Sequence, residues 1–157
     1  MLLFWPCLWG LTLANDFTNN NMQYVKYFVY FFLGSVLMRS AGCIVNDILD
    51  RKYDKLVERT KDRPIASGKV STNLGLAYVI ILCLLSFLIL IQFNFVTILL
   101  GLASMPFAFS YPLMKRYTYW PQLFLGFTFN YGLIMAWFSI NPQFSYIPLI
   151  LYFGAIF

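Results

Sequence analysis

Apolar stretches separated by short polar segments make up most of the sequence. They cover Leu2–Ala14, Met22 to about Val45, Asn73–Ile91, Phe95 to about Tyr111, Trp120–Ile140, and a last stretch from about Phe144. A helix of roughly 20 apolar residues crosses the roughly 30 Å hydrocarbon core of a bilayer. The four middle stretches therefore predict complete membrane-spanning helices, and the first and last predict incomplete ones.

The composition agrees with a membrane setting. Hydrophobic residues make up 61% of the chain, aromatic residues 20% and charged residues only 11%. A soluble domain of this composition would have too few polar side chains to cover its surface. The sequence therefore predicts an all-α fold, a polytopic transmembrane helical bundle in a lipid bilayer.

Both ends of the sequence lie in apolar stretches. The N-terminal stretch has no basic region before it and no small-residue cleavage site, so it does not resemble a signal peptide. The C-terminal run, residues 149–157, has no polar or basic flank to close it. We expect residues 1–157 to form a single transmembrane domain that is truncated at the C terminus and also at the N terminus.

Basic residues are concentrated on one side of the predicted bundle. Seven of the eleven lie between the second and third apolar stretches: Arg51, Lys52, Lys55, Arg59, Lys61, Arg63 and Lys69. Lys115 and Arg116 follow the fourth stretch. Because successive helices alternate in direction, both loops are expected on one face. The positive-inside rule predicts that this face is cytoplasmic, or faces the matrix in a mitochondrion.

Several function classes are excluded by what the sequence contains. The chain has no histidine, which excludes histidine-based nucleophilic triads and histidine-bound metal or haem. Cys7, Cys43 and Cys83 lie in apolar stretches without paired spacing, so we interpret them as packing residues. The net charge of +5 arises mainly from two short loops, with no basic, aromatic-interleaved surface for nucleic acid.

A polar run, Asn46–Asp54, follows directly on the second apolar stretch. If the helix continues through it, Asp47, Asp50 and Asp54 fall within about 60° of arc, and Asn46 flanks the same face. Carboxylates this close repel one another unless a cation lies between them. Such an all-oxygen ligand set suits Mg²⁺, which binds one or two protein carboxylates together with substrate phosphates.

Two other interpretations of the polar run stay open at this point. A helix that emerges into water also ends in charged residues, which then form a solvated cap with a few i,i+4 pairs. Acidic side chains near the interior of a membrane bundle also suit a proton relay or a transporter. The shared face of the three aspartates favours the metal site over the solvated cap.

Three segments resemble the UbiA superfamily of membrane prenyltransferases. Met38–Asp54, followed by Arg59–Gly68, closely resembles the first aspartate-rich motif of that superfamily. The subgroup that it looks most like is 4-hydroxybenzoate polyprenyltransferase. Tyr111–Leu123 is similar to the segment after the fourth helix of that subgroup, and Phe4–Trp9 is similar to its first helix. The resemblance covers nearly the whole chain.

This resemblance implies a fold, a reaction and a set of site residues. The family fold is a bundle of nine membrane helices around a cavity, of which this chain would supply about five to six. Asp47, Asp50 and Asp54 would be catalytic and would hold Mg²⁺ against the diphosphate of a polyprenyl donor. The residues expected to bind substrate are Asn46, Arg39, Arg63, Tyr111, Lys115 and Arg116. For Arg63, Lys115 and Arg116 a purely topological role stays open.

The implied activity transfers a polyprenyl group to the ring of 4-hydroxybenzoate in ubiquinone synthesis. It would take place in the bacterial or mitochondrial inner membrane, with the aspartates on the cytoplasmic or matrix side. The second aspartate-rich motif of the family is not in this sequence, whose last acidic residue is Asp62. We therefore expect the chain alone to be inactive and to need a complementary C-terminal polypeptide or a longer reading frame.

Two other functions stay open. One is a prenyltransferase of the same superfamily that acts on a menaquinone, haem or chlorophyll precursor. The other is a non-enzymatic membrane protein that binds or transports its ligand. The first would differ only in its acceptor, whereas the second predicts no magnesium-dependent binding of prenyl diphosphates.

Overall fold

The chain folds into six helices over the part that the structure describes. This computed structural model describes residues 2–15, 21–117 and 120–156, without the side chains at positions 21, 111–113, 115–117 and 121. The helices are α1 (Phe4–Ala14), α2 (Asn21–Asp54), α3 (Thr72–Leu90), α4 (Phe95–Tyr117), α5 (Pro121–Ile140) and α6 (Ile147–Ile156). A helix satisfies its backbone hydrogen bonds internally, as a bilayer requires. The predicted all-α polytopic bundle is confirmed.

The ends of the helices follow local sequence signals. The Ser71 side chain accepts a hydrogen bond of 3.2 Å from the backbone N–H of Leu74 and so caps α3. Helix α5 begins with Pro121, where the missing N–H has no intrahelical partner to lose. Gly68 has a φ of 81° in the loop before α3, a conformation that glycine adopts without steric cost.

Helix α2 continues without interruption from its apolar part through the polar run to Asp54. The predicted common face of the three aspartates depends on this continuity, which the structure confirms. With 34 residues, α2 is about 51 Å long at 1.5 Å per residue. That exceeds the hydrocarbon core of a bilayer, so its polar C-terminal turns extend beyond the apolar region.

Among the described residues, three helical segments are long and apolar enough to cross a membrane: Met22–Asp54, Thr72–Leu90 and Gln122–Ile140. The other apolar helical segments that the structure describes are shorter, namely Phe4–Ala14, Phe95–Ser110 and Ile147–Ile156. Helix α4, which the sequence predicts as a fourth complete span, has 23 residues. Helix α4 thus extends past the predicted end near Tyr111, and its side chains are described without interruption as far as Ser110.

Helix α1 packs parallel to α5, far away along the chain, at unusually close range. A Cβ atom added to Gly10 would lie 2.3 Å from the carbonyl oxygen of Leu133, and one added to Gly132 would lie 2.5 Å from Cys7 Sγ. Small residues allow this approach of two membrane helices. The contact buries Leu11 completely, with 0% of its surface exposed.

Asparagine side chains join the helices at the end of the bundle opposite to the polar run. Asn94 Nδ2 donates to the carbonyl oxygens of Phe138 and Ser139 at 2.7 and 3.1 Å, and its Oδ1 caps the first turn of α4. Asn141 Nδ2 donates to the carbonyl oxygen of Ala14 at 3.0 Å. These amides satisfy backbone carbonyls at the C-terminal ends of α1 and α5.

Candidate functional site

The carboxylates of Asp47 and Asp54 share one cation, the guanidinium of Arg63. Its Nη1 lies 2.9 Å from Asp47 Oδ1 and 3.1 Å from Asp54 Oδ2. The side chains are 36% exposed for Arg63, 27% for Asp47 and 12% for Asp54. Charge-assisted hydrogen bonds of this kind are stronger than neutral ones, and partial burial limits screening by salt. The guanidinium therefore offsets the repulsion between the two carboxylates.

The loop that carries Arg63 is folded back onto the end of α2. Thr60, which is 7% exposed, donates its hydroxyl to the carbonyl oxygen of Asp54 at 3.0 Å. The backbone N–H of Ser67 donates to the carbonyl oxygen of Arg63 at 2.8 Å. The first contact satisfies a terminal carbonyl of α2 and the second holds the backbone of Arg63 in a turn.

A hydrophobic contact anchors the same loop between α2 and α3. Ile65 is 5% exposed, and its neighbour Ala66 is 2% exposed. A Cβ atom added to Gly75 would lie 3.1 Å from Ile65 Cδ1 and 3.4 Å from Ile48 Cδ1, so the absence of a side chain at Gly75 makes room for both isoleucines. Ile65 thus fixes the loop two residues after Arg63, which places the guanidinium over the aspartates.

The other predicted site residues on α2 are placed differently. Asn46 and Asp50 are half-buried on the helix that carries Asp47, and helical periodicity puts Asp50 on the face of Asp47 and Asp54. Arg39 is exposed, about 12 Å before Asp47 along the helix axis. The structure brings Arg63 to the aspartates and leaves Arg39 about two turns before Asp47.

Three predicted site residues lie on the last turns of α4. The backbone of Tyr111, Lys115 and Arg116 is helical, but their side chains are outside the described part of the structure. Helix α3 joins α4 through the short turn Ile91–Asn94, so the two helices run in opposite directions. The C-terminal end of α4 is therefore at the same end of the bundle as the polar run, and the roles of these residues stay predictions.

The chemistry of the site suits a divalent cation as well as an arginine. Among the described residues there is no group of three or more His, Cys, Asp or Glu side chains arranged to hold a metal ion. Two carboxylates, Asp47 and Asp54, nevertheless bind one positive group. Mg²⁺ commonly uses one or two carboxylates and completes its shell with water and substrate phosphates. The pair fits this ligand set, with Arg63 as a stand-in cation.

An apolar cavity of about 170 Å³ lies between the first five helices. On α2 it extends from Tyr30 to Met38, so its near end is about 13 Å and its far end about 26 Å from Asp47 along the helix. Hydroxyl groups of Ser35 and Thr128 line it, but each donates to a carbonyl of its own helix. The cavity thus presents mainly carbon to an occupant.

Thr60 and Ile65 shape the site but are not predicted from the sequence. Both lie inside the segment Arg59–Gly68 that carries the family resemblance. Threonine is common in charged loops, so the residue type at position 60 gives no signal. Its hydrogen bond to the carbonyl oxygen of Asp54 depends on how the loop folds back onto α2. Ile65 does not stand out either, since the same loop also contains the aliphatic residues Leu56, Val57 and Val70.

Structural comparison identifies the fold. A UbiA homolog from Aeropyrum pernix K1 superposes with a TM-score of 0.74 at 23% identity, over 99% of this chain and 56% of the other. A structure of digeranylgeranylglyceryl phosphate synthase superposes with a TM-score of 0.74 at 18% identity, over 98% of this chain and 53% of the other. At these identities the similarity shows the fold alone.

Sequence comparison identifies the family. The UbiA prenyltransferase family matches residues 3–157. The mitochondrial 4-hydroxybenzoate polyprenyltransferase of Arabidopsis thaliana is 44% identical over 89% of this chain and 34% of its own length. The 4-hydroxybenzoate octaprenyltransferase of Vibrio campbellii is 44% identical over 98% of this chain and 51% of its own length. This chain thus spans a third to a half of these relatives, and it belongs to the UbiA prenyltransferase family.

Proposed function

We propose that this chain provides the diphosphate-binding half of an enzyme that transfers a polyprenyl group to the ring of 4-hydroxybenzoate in ubiquinone synthesis. The observation that carries the proposal is that Asp47 and Asp54 both bind one cation, the Arg63 guanidinium, at the polar end of a bundle that contains an apolar cavity. A prenyl diphosphate has the same polarity, with a charged head and a hydrocarbon tail. The choice of 4-hydroxybenzoate as the acceptor is supported by the names of the relatives.

Binding of the donor's head would use the residues at the end of α2. Asp47, Asp50 and Asp54 would hold Mg²⁺, which neutralises the charge of the leaving diphosphate. Arg63 lies beside them and supplies a planar set of N–H donors that matches phosphate oxygens. Asn46 would orient a carboxylate or contact the diphosphate, and Lys115, Arg116 and Tyr111 would approach from the same end of the bundle.

Binding of the donor's tail would use the cavity between the helices. It follows α2 away from the aspartates and has a predominantly apolar and aromatic lining. Burial of hydrocarbon contributes about 25 cal/mol per Å² removed from water, or about 0.8 kcal/mol for each CH₂ group. The cavity also excludes water from the allylic carbon that departure of the diphosphate leaves positively charged, and this protects the carbon from hydrolysis.

The proposal includes a place in the cell and a condition for activity. The basic loop 51–69 supports a location of the aspartates on the cytoplasmic or matrix side of a bacterial or mitochondrial inner membrane. No acidic residue follows Asp62, so residues 1–157 do not contain the second aspartate-rich motif of the family. We propose that transfer requires a complementary polypeptide or a longer form of the chain that carries this motif.

The first test is prenyl transfer by membranes that contain residues 1–157, with Mg²⁺, a polyprenyl diphosphate and 4-hydroxybenzoate. The chain is assayed alone and together with the C-terminal half of a relative that carries the second motif. We expect product only from the pair, and at least a hundredfold less product when Asp54 is changed to Asn, because loss of a metal ligand removes electrostatic stabilisation of the leaving diphosphate, an effect of about that size. Parallel acceptors are menaquinone, haem and chlorophyll precursors.

The matched control is Asp62→Asn, which removes the same charge from an exposed position in the adjoining loop. This variant should retain the activity of the unmodified pair. Product from residues 1–157 alone, lost in Asp54→Asn, would contradict the need for a second motif and support the transfer reaction. Folded protein that binds no prenyl diphosphate in the presence of Mg²⁺ would contradict the transferase and favour a transport or binding role.

A further inference from the structure

We infer that Arg63 is an exchangeable counter-cation: it competes with the divalent metal for Asp47 and Asp54, and the diphosphate releases it from them. Binding of metal and binding of diphosphate are then coupled through one side chain. The inference rests on the proposed function and deepens it, because it says which cation Asp47 and Asp54 bind before the substrate arrives. Its basis is the position of the guanidinium in the structure.

The guanidinium binds the same two carboxylates that would hold the metal ion. Nη1 is 2.9 Å from an oxygen of Asp47 and 3.1 Å from an oxygen of Asp54. Mg²⁺ binds carboxylate oxygens at about 2.0–2.1 Å and keeps a rigid octahedral shell. An ion bound to both of these oxygens would lie within a few ångströms of Nη1 and would repel its charge, so the ion and the guanidinium compete for the same two carboxylates.

The backbone of Arg63 is held by a hydrogen bond, whereas its side chain can leave the aspartates by rotation about its own bonds. The carbonyl of Arg63 accepts a hydrogen bond from Ser67, and the buried Ile65 anchors the loop two residues later. The side chain is 36% exposed, so the guanidinium reaches solvent without crossing the protein interior. The exchange therefore needs only side-chain rotation, with the loop and α2 left in place.

Coupling follows from the competition. A metal ion that binds alone must displace Arg63 into water, which weakens its apparent affinity. A diphosphate beside the aspartates gives Arg63 a new anionic partner, since a guanidinium binds phosphate oxygens in pairs. Metal and diphosphate then each raise the affinity for the other, and the two factors are equal by thermodynamic linkage. Asp47 and Asp54 would have a cation at every stage.

The test is Mn²⁺ binding by residues 1–157 in lipid nanodiscs, measured from the electron paramagnetic resonance signal of free Mn²⁺. In Arg63→Gln we expect Mn²⁺ to bind roughly tenfold more tightly than in the unmodified chain, because a charge-assisted hydrogen bond is worth about that factor. Inorganic pyrophosphate should bind more weakly to this variant. Pyrophosphate should also enhance Mn²⁺ binding less than it does in the unmodified chain.

The control variant is Lys69→Gln, which removes one positive charge from an exposed position of the same loop. It should change Mn²⁺ affinity by less than about twofold, since exposed charges are screened. A second measurement avoids substitution: labelling of the unmodified chain with phenylglyoxal, read by mass spectrometry. We expect Mg²⁺ to increase the labelling of Arg63 and added pyrophosphate to reverse it, with the exposed Arg59 as internal reference.

Two results would overturn the exchange. One is Mn²⁺ affinity in Arg63→Gln that is equal to or weaker than that of the unmodified chain, which is what a purely structural bridge predicts. The other is labelling of Arg63 that does not change at saturating Mg²⁺. Either result, together with product in the transfer assay, would leave the proposed function standing. Loss of both product and Mn²⁺ binding would overturn the function as well.

Discussion

A single threonine shows how the polar end of α2 is held. The Thr60 hydroxyl is buried and donates to the carbonyl oxygen of Asp54, the last residue of the helix. Helix ends leave four carbonyls without intrahelical partners, and a side chain that binds one of them stabilises the last turn. Thr60 therefore fixes the backbone of Asp54 while Arg63 binds its carboxylate.

Changing Thr60 to Val tests this role, because valine has nearly the same shape but no hydroxyl. The Asp54 carbonyl loses a buried partner, which costs about 1 kcal/mol. We expect a lower midpoint of thermal unfolding in detergent and faster amide hydrogen exchange in the last turn of α2. Ser67→Ala is the control, since the Ser67 hydroxyl is exposed and makes a weaker contact of 3.4 Å with Pro64. Equal effects of both changes would contradict the capping role.

At the scale of elements, the pairing of α1 with α5 depends on glycine. Gly10 and Gly132 bring the two helices together so closely that a methyl group at either position would meet the other helix. Membrane helices gain little from hydrophobic burial, so close packing contributes more to their association. Larger side chains also contribute: Phe93, in the turn between α3 and α4, packs on Phe31 of α2 with ring centroids 4.8 Å apart.

Gly10→Ala tests the importance of this contact. The new methyl group would lie 2.3 Å from the backbone oxygen of Leu133, which side-chain motion does not relieve. We expect destabilisation of about 1–3 kcal/mol, the usual range for overpacking, observed as a lower midpoint of thermal unfolding. Gly42→Ala is the matched control on a helix, because nothing lies within 4 Å of its added methyl group. That variant should be unchanged or slightly stabilised, by up to about 1 kcal/mol. A control as unstable as Gly10→Ala would contradict the packing explanation.

At the scale of the whole molecule, the polar end and the apolar cavity are parts of one arrangement. Helix α2 carries Asp47 near its C-terminal end and lines the cavity from Tyr30 to Met38. The other walls come from α1, α3, α4 and α5. The bundle thus offers charge at one end and hydrocarbon further along the same helix, which matches the two parts of a prenyl diphosphate.

Ser35→Phe tests whether the cavity holds the prenyl tail. Ser35 lines the cavity, so the larger ring would fill part of it. Displacing two or more CH₂ groups of the tail would weaken the binding of farnesyl diphosphate by roughly tenfold, at about 0.8 kcal/mol for each group. Binding of inorganic pyrophosphate should not change, because the aspartates proposed to bind the diphosphate are more than about 10 Å away along the helix. Both affinities are measured by calorimetry with Mg²⁺.

The control for this change is Ser40→Phe, which adds the same ring on the same helix outside the cavity lining. It should bind both ligands as the unmodified chain does. Weaker pyrophosphate binding in Ser35→Phe would show that the ring distorts the head site. Unchanged farnesyl diphosphate affinity in that variant would place the tail elsewhere.

Local sequence patterns are sufficient to predict the six described helices, most of their ends and the common face of the aspartates. These features are local: a run of apolar residues sets a span, Ser71 caps the next helix, and the spacing of Asp47, Asp50 and Asp54 sets their common side. The family resemblance also pointed to Arg63 as a site residue. Each inference used residues within a few turns of one another.

Contacts between different helices, in contrast, become apparent only in the folded bundle. Arg63 reaches Asp47 across 16 positions because Ile65 is anchored beside Gly75, and no periodicity in the loop specifies that contact. The pairing of Gly10 with Leu133 and the cavity between five helices depend on side chains that are far apart in the chain. Such contacts are set by the mutual fit of whole helix surfaces, which a pattern read along a single helix does not contain.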